Sequence, residues 1–312
     1  MLRHLYRRSS LAAMSAAATS AVAYATACEP KSPAPVSTGV ATESILLKDG
    51  RRLAFRTEGD ADGVAVYALH GMGSSSLTWT TRPSKPLSTL VSGVKLIAVD
   101  RPGYGDSSDP PAGYSYSQFA ADLAQLADAL GTPTFCVAGH SSGGPYALAT
   151  AAVLRERVLA CAAIGSDPPY VHPRVPAELR QHDMAYEIGG ADGFFGVDPV
   201  VKFEKWRQSS LASGVPAKVH AWKGGAIGFV FDFNLERLPW SFKLEDISLG
   251  RKLTFWVGEK DYDSMKIGAP WMQSMVPGSI VEVVPGGDHG FKSKPEHLKA
   301  ILERLRDQAM SS

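Results

Sequence analysis

Residues 135–154 read FCVAGHSSGGPYALATAAVL: an apolar run, a glycine-bounded turn and an Ala/Leu-rich segment in direct succession. Phe135, Cys136, Val137 and Ala138 predict a buried strand, and residues 146–154 predict a helix. The turn between them, Gly139-His140-Ser141-Ser142-Gly143, has to carry the chain from strand to helix within a few residues. A turn that sharp forces its middle residue into a strained backbone conformation, and glycines two before and two after it leave room for the chains to pass. The Ser141 hydroxyl then projects into solvent or substrate, which makes Ser141 the candidate nucleophile.

The rest of the chain supplies a setting for that turn. Residues 43–47 and 52–56 are short strand-like runs joined by Lys48-Asp49-Gly50-Arg51, a hairpin signal. Residues 64–69 are uniformly apolar, as a parallel strand buried on both faces requires, and residues 94–99 and 158–164 predict further strands. Residues 86–91 suggest a short helix. Ser117 is placed to cap a helix that carries Phe119, Leu123, Leu126 and Leu130 and that Gly131 stops. Strand and helix thus alternate from residue 64 to 168, which argues for a mostly parallel sheet. From 169 to 246 the alternation stops. Helix-like pieces at 176–188, 200–212 and 215–231 stand there among crowded aromatics, including Phe203, Trp206, Trp222, Phe229 and Phe233. Strands return at 253–257 and 280–284, followed by an amphipathic helix with Leu298, Ile301, Leu302 and Leu305 on one face. The expected organisation is one α/β core, residues 41–168 and 247–312, interrupted by a helical insertion at 169–246.

At 312 residues, with 45% hydrophobic and 20% charged side chains, the chain has the composition of a soluble globular protein. A net charge of +1 gives no electrostatic case for nucleic acid or an anionic membrane surface as a partner. Cys136 and Cys161 lie in strand-like runs, and with Cys28 they form no C-x-x-C pair, so no structural metal is expected. Gly103-Tyr104-Gly105 lacks the third glycine of a dinucleotide loop, and no cofactor is expected. The first forty residues differ from the rest. Arg3, Arg7 and Arg8 precede an uncharged Ala/Ser/Thr run, and no acidic residue occurs before Glu29. This reads first as a transit peptide to a mitochondrion or plastid. A secreted or membrane-anchored protein is the alternative, with Ala23-Tyr24-Ala25 as a cleavage pattern, although residues 11–27 are mostly alanine rather than strongly apolar. Membrane association is expected only through this segment. Pro30, Pro33 and Pro35 then mark a linker.

A serine hydroxyl is a weak nucleophile near neutral pH, so Ser141 needs a base, and the base needs an orienting acid. In an open α/β sheet these belong beyond the carboxyl ends of strands. The strand at 253–257 leads into Gly258-Glu259-Lys260-Asp261-Tyr262-Asp263, and that at 280–284 into Pro285-Gly286-Gly287-Asp288-His289-Gly290. His289 is therefore the candidate base, in the chain order serine, acid, histidine. Asp261, three after Gly258, is favoured as the acid over Asp263, which is expected to cap the following helix, and over Glu259. Asp288 is expected to serve the loop. The developing oxyanion needs backbone N–H donors: Ser142, directly after the nucleophile, and Met72 in the loop His70-Gly71-Met72-Gly73.

With these residues in this order the chain resembles the α/β-hydrolase superfamily, in its cap-bearing serine esterase-like branch. The residues that carry the resemblance are His70-Gly71, Asp100-Arg101-Pro102-Gly103-Tyr104-Gly105-Asp106-Ser107, Gly139 through Pro145, Gly258-Glu259-Lys260-Asp261 and Gly287-Asp288-His289-Gly290. It runs from about residue 43 to 305. It implies an eight-stranded-type, mostly parallel sheet with helices on both faces, and a cap formed by residues 169–246. It implies Ser141, Asp261 and His289 as catalytic residues, Met72 and Ser142 as oxyanion donors, and a small-molecule substrate. Serine at the elbow departs from the epoxide hydrolases and haloalkane dehalogenases of the branch, which use aspartate there. The absence of tryptophan after Ser141 departs from the proline iminopeptidase relatives. The implied activity is cleavage of a carboxylic ester; thioester, amide or carbon–carbon hydrolysis, or ligand binding without turnover, are the alternatives.

Overall fold

The computed structural model describes residues 41–80, 86–181 and 199–311. The expected targeting segment and linker, and residues 182–188 of the first expected insertion helix, lie outside them. Among the described residues no helix is long and apolar enough to cross a membrane.

Eight strands form one sheet in the order β1-β2-β4-β3-β5-β6-β7-β8. The hairpin at Asp49-Gly50 pairs β1 (Glu43–Leu46) antiparallel with β2 (Arg52–Gly59), and β2 pairs antiparallel with β4 (Val94–Val99). All other pairings are parallel, through β3 (Val64–Leu69), β5 (Phe135–His140), β6 (Val158–Ile164), β7 (Leu253–Gly258) and β8 (Ile280–Val284). The uniformly apolar strands are those covered on both sides. Along β5, Phe135 and Val137 enter one core while Cys136 and Ala138 enter the other, and β3 splits the same way with Tyr67 and Leu69 opposite Val66 and Ala68. One face is closed by helices α2 (Tyr116–Ala129), α3 (Gly143–Val153) and α8 (Asp263–Met275). The other is closed by α1 (Leu77–Thr80), the 3-10 turn Leu87–Thr89 and α9 (Pro295–Met310), whose Leu298, Ile301, Leu302 and Leu305 are the buried stripe expected of it.

Three local expectations need correction. The α2 cap is Ser115, whose hydroxyl accepts the Gln118 amide, while Ser117 sits in the first turn and bonds Ser241. Asp263 is the first residue of α8 rather than its cap, and its carboxylate pairs with Lys266 at 2.8 Å on the surface. The piece expected at 215–231 is two helices, α6 (Pro216–Ala221) and α7 (Ile227–Leu235), because Gly224-Gly225 breaks it with Gly225 at φ +93°. With α4 (Ala177–Gln181) and α5 (Pro199–Ala212) these make up the described helices between β6 and the 3-10 turn Leu244–Asp246.

The parallel register puts every strand-end loop that matters on one edge of the sheet. Leu69 lies beside Gly139, Ile164 beside both His140 and Trp256, and Gly258 beside Val284. The chain runs from β3 out to β4 on one side and then to β5 on the other, so its direction of travel reverses where β5 meets β3. Crevices at such reversal points are where open sheets bind ligands.

Candidate active site

Strand β5 runs into the elbow with Ser141 at φ +55°, the one non-glycine residue with positive φ among those described. That conformation costs a residue with a Cβ about 1–2 kcal/mol, so the surroundings must impose it. They do so by close packing. A Cβ on Gly143 would lie 2.6 Å from the carbonyl oxygens of Leu69 and His70, and one on Gly139 would lie 2.1 Å from the Gly143 carbonyl. Helix α3 therefore begins at Gly143, immediately after Ser142, three residues earlier than its Ala/Leu-rich sequence suggested.

Ser141, His289 and Asp261 meet here from three strand ends. The Ser141 hydroxyl is 3.0 Å from His289 Nε2, and His289 Nδ1 is 2.7 Å from Asp261 Oδ1. Asp261 is buried and its Oδ1 also accepts the Tyr262 amide at 2.8 Å, an arrangement in which the carboxylate accepts from Nδ1–H and leaves Nε2 free to accept from the serine. The other acids of these loops are engaged elsewhere. Glu259 accepts the Gly286 amide at 2.7 Å, and Asp288 accepts the Gly290 amide at 3.0 Å, the loop role expected of it.

His289 is held by a second histidine. His140 Nε2 is 2.8 Å from the His289 carbonyl oxygen, and the two rings lie 4.9 Å apart. Burial, with the nearby Lys292 charge, holds His140 well below the usual histidine range, so its ring is neutral and Nε2–H is the donor. The Tyr262 ring, half exposed, lies 4.8 Å from the His289 ring.

Met72 and Ser142 flank Ser141. Gly71 runs so close to the elbow that a Cβ on it would lie 3.0 Å from Ser141 Cβ, which brings the Met72 backbone beside the serine. Neither the Met72 nor the Ser142 amide donates a hydrogen bond among the described residues. Behind this loop, buried His70 accepts the Arg101 amide on Nε2 at 3.1 Å and donates from Nδ1 to the Gly71 carbonyl at 2.8 Å. Burial and the Arg101 charge hold His70 well below its usual range, which keeps the ring neutral, and these two bonds set its tautomer. The Met72 side chain packs on an aromatic cluster of the insertion, Phe203, Trp222, Phe229 and Phe233.

Gly165, at the end of β6, leaves room for the relay: a Cβ there would lie 3.0 Å from Asp261 Oδ2 and 3.2 Å from His289 Nδ1. Gly165 also stands at φ +48°. Gly165→Ala is expected to fold and to lose about 100-fold in kcat through displacement of the acid–base pair. Steady-state kinetics beside a thermal melt would check this; unchanged kcat in a folded variant would contradict it.

Arg101, Asp232 and Glu236 were not singled out one by one from the sequence, yet they join the insertion to the elbow. Arg101 Nη1 is 2.6 Å from Asp232 Oδ1 on α7, and the Tyr104 and Tyr146 hydroxyls donate to the same carboxylate at 2.6 and 2.8 Å. Breaking so buried a pair costs about 3–5 kcal/mol, although its net worth over an apolar replacement is small. One signal was available in the sequence. Asp232 is the sole charged residue in IGFVFDFNL, and a helix apolar on all sides buries its one carboxylate.

Sheet order and elbow together define the α/β-hydrolase fold class. The chain belongs to the alpha/beta hydrolase family, whose model matches residues 66–296. A Bacillus subtilis (strain 168) relative bearing the name of a 2-succinyl-6-hydroxy-2,4-cyclohexadiene-1-carboxylate synthase is 32% identical over 267 residues, 80% of this chain and 92% of the relative. A non-heme chloroperoxidase from Streptomyces lividans is 34% identical over 101 residues, and the aligned part spans only 36% of its length. Among solved structures, a thermophilic esterase from Thermogutta terrifontis superposes with a TM-score of 0.61 at 23% identity, over 86% of this chain and 99% of that one. That likeness is one of fold.

Proposed function

We propose that the protein is a serine hydrolase that cleaves a carboxylic ester, or a related acyl bond, of a small apolar substrate through an acyl-enzyme on Ser141. The observation that carries this reading is the continuous relay from Ser141 Oγ through His289 to Asp261 Oδ1, with links of 3.0 and 2.7 Å. Ser141 Oγ attacks the carbonyl carbon while His289 Nε2 takes its proton, and Asp261 steadies the imidazolium. The carbonyl oxygen becomes an oxyanion that accepts from the Met72 and Ser142 amides, the latter at the N-terminus of α3. Collapse expels the alcohol, which takes the proton back from His289, and water repeats the sequence to release the acid. The residues 169–246 insertion serves as a cap, and its rings beside Met72 favour an apolar acyl or aryl group.

Stoichiometric labelling by a fluorophosphonate tests the nucleophile. Labelling of the wild type and its loss in Ser141→Ala are expected, and an unlabelled wild type would sink the reading. The synthase name borne by the Bacillus subtilis relative favours one rival, in which the same site acts on a bond other than an acyl bond. A protein that labels on Ser141 but turns over no acyl ester, thioester or amide would belong to that rival.

A further inference from the structure

Behind Ser142 lies a group of charged side chains sealed from solvent. Arg101, Asp167, Asp232 and Glu236 are each no more than 2% exposed. Three of them have well-formed partners: Arg101 with Asp232, two tyrosine hydroxyls on Asp232, and Asp167 Oδ1 accepting from the Tyr170 hydroxyl at 3.0 Å. Glu236 differs. It follows α7 one turn after Asp232, its amide bonded to the Asp232 carbonyl at 3.0 Å. The Ser142 hydroxyl lies near its carboxyl and donates to Asp167 Oδ2 at 3.4 Å. Yet neither Glu236 oxygen has a well-aligned hydrogen-bond partner among the described residues.

The charges around it do not favour ionisation. Asp167 at the end of β6 and Asp232 on α7 are both negative, and Tyr116 on α2 adds only a phenol. Arg101 is bonded to Asp232, and the neighbouring Arg237 turns its Nη1 to the Phe233 carbonyl at 2.6 Å and lies over the Phe233 ring. An ionised Glu236 would be a buried carboxylate beside two others with no cation bonded to it, a costly state. Burial first, then the charges of Asp167 and Asp232, hold Glu236 well above the usual carboxylate range.

We propose that Glu236 is a positioning residue for the reaction: buried beside Asp167 at the end of helix α7, it seats that helix on the nucleophile elbow and fixes Ser142, whose amide faces the oxyanion. The inference rests on the reading of Ser142 as an oxyanion donor. A neutral carboxyl adds no charge and offers an O–H toward Ser142 and Asp167. Once deprotonated, it sets a second negative charge against Asp167 and drives α7 away from the elbow, so the oxyanion donor loses its backing.

The test compares the wild type with Glu236→Gln and Glu236→Ala by thermal unfolding and by ester kinetics from pH 4.5 to 10. An unfolded glutamate ionises near 4.5 while the folded Glu236 resists, so the wild type loses stability as pH rises from there toward the folded value. The Tm of Glu236→Gln, which is neutral at every pH, is expected to match the wild type at pH 4.5 and to exceed it increasingly above. The alkaline fall in wild-type kcat is expected to be absent from Glu236→Gln. Glu236→Ala is expected to lose about 10- to 100-fold in kcat with little change in KM, as a displaced donor would give. A Tm difference that stays flat across the range, or an alkaline limb unchanged in Glu236→Gln, would overturn the proposal. The melts need no turnover: fluorophosphonate labelling together with a flat Tm difference would overturn this inference alone. An unlabelled wild type would remove the reaction that it serves.

Discussion

His289→Ala is expected to lower kcat by about 10⁶, because removal of the base from a serine relay costs nearly as much as removal of the whole relay. The residual rate, about 10³ over water, would come from the Met72 and Ser142 amides and from binding. Asp261→Asn should retain the geometry and still cost about 10⁴. The reason is charge. Asp261 Oδ1 accepts from the ring at 2.7 Å and from the Tyr262 amide at 2.8 Å, so an asparagine keeps its oxygen there but carries no negative charge to stabilise the imidazolium that forms when His289 takes the Ser141 proton. Asp263→Asn is the matched control. Its carboxylate reaches Lys266 on the surface, and the exchange should change kcat by less than about twofold, as for a surface ion pair. Ester turnover in the three variants checks the assignment. Near-wild-type turnover in Asp261→Asn would move the acid elsewhere.

How far such a site can be read from sequence depends on how local its causes are. β3, β4 and β6 fall where the apolar runs placed them, because a strand buried on both faces must be apolar throughout and is bounded by turn residues. The three loops that carry Ser141, Asp261 and His289 were also legible as loops, since each is a short glycine-bounded stretch at a strand end. The start of α3 was not, because packing against the Leu69 and His70 carbonyls, rather than helix propensity, sets it at Gly143. The same is true of the pieces that hold the site together. His140 reads as a filler inside G-x-S-x-G, yet its ring fixes the His289 backbone across 149 positions of sequence. Asp232 stands out as the lone charge in an apolar helix, but nothing local pairs it with Arg101, 131 positions away, and only the folded chain shows that they meet.

Lys292 illustrates a residue whose energetic role runs against its polarity. It lies three positions after His289 and is only 2% exposed, with Nζ 3.3 Å from both the carbonyl and hydroxyl oxygens of Thr78 and 4.3 Å from the Trp79 ring centroid. No carboxylate among the described residues pairs with it. Burial alone brings its ammonium down from 10.5 to about 7. A cation whose folded value is depressed destabilises the fold wherever the unfolded chain would hold the proton. The cost is absent above 10.5, grows as pH falls from there to about 7, and is complete below that. At about 1.4 kcal/mol for each pH unit, the full cost is on the order of 5 kcal/mol. Lys292→Met retains the stem and most of the volume and removes the charge. It gives up the Thr78 contacts and the interaction with Trp79, each worth about 1 kcal/mol. A gain of about 3 kcal/mol at pH 6 is expected, fading as pH rises toward 10. Denaturant unfolding of both proteins at pH 6 and pH 10 measures it, and a variant less stable than the wild type at pH 6 would show that the ammonium is held by contacts that outweigh its burial. The same charge lies close enough to His70 and His140 to lower both. The wild-type chain therefore carries, beside the Ser141–His289–Asp261 relay, a buried amine that weakens the fold increasingly as pH falls from 10.5 to about 7, and whose charge adds to the burial that keeps His70 and His140 neutral.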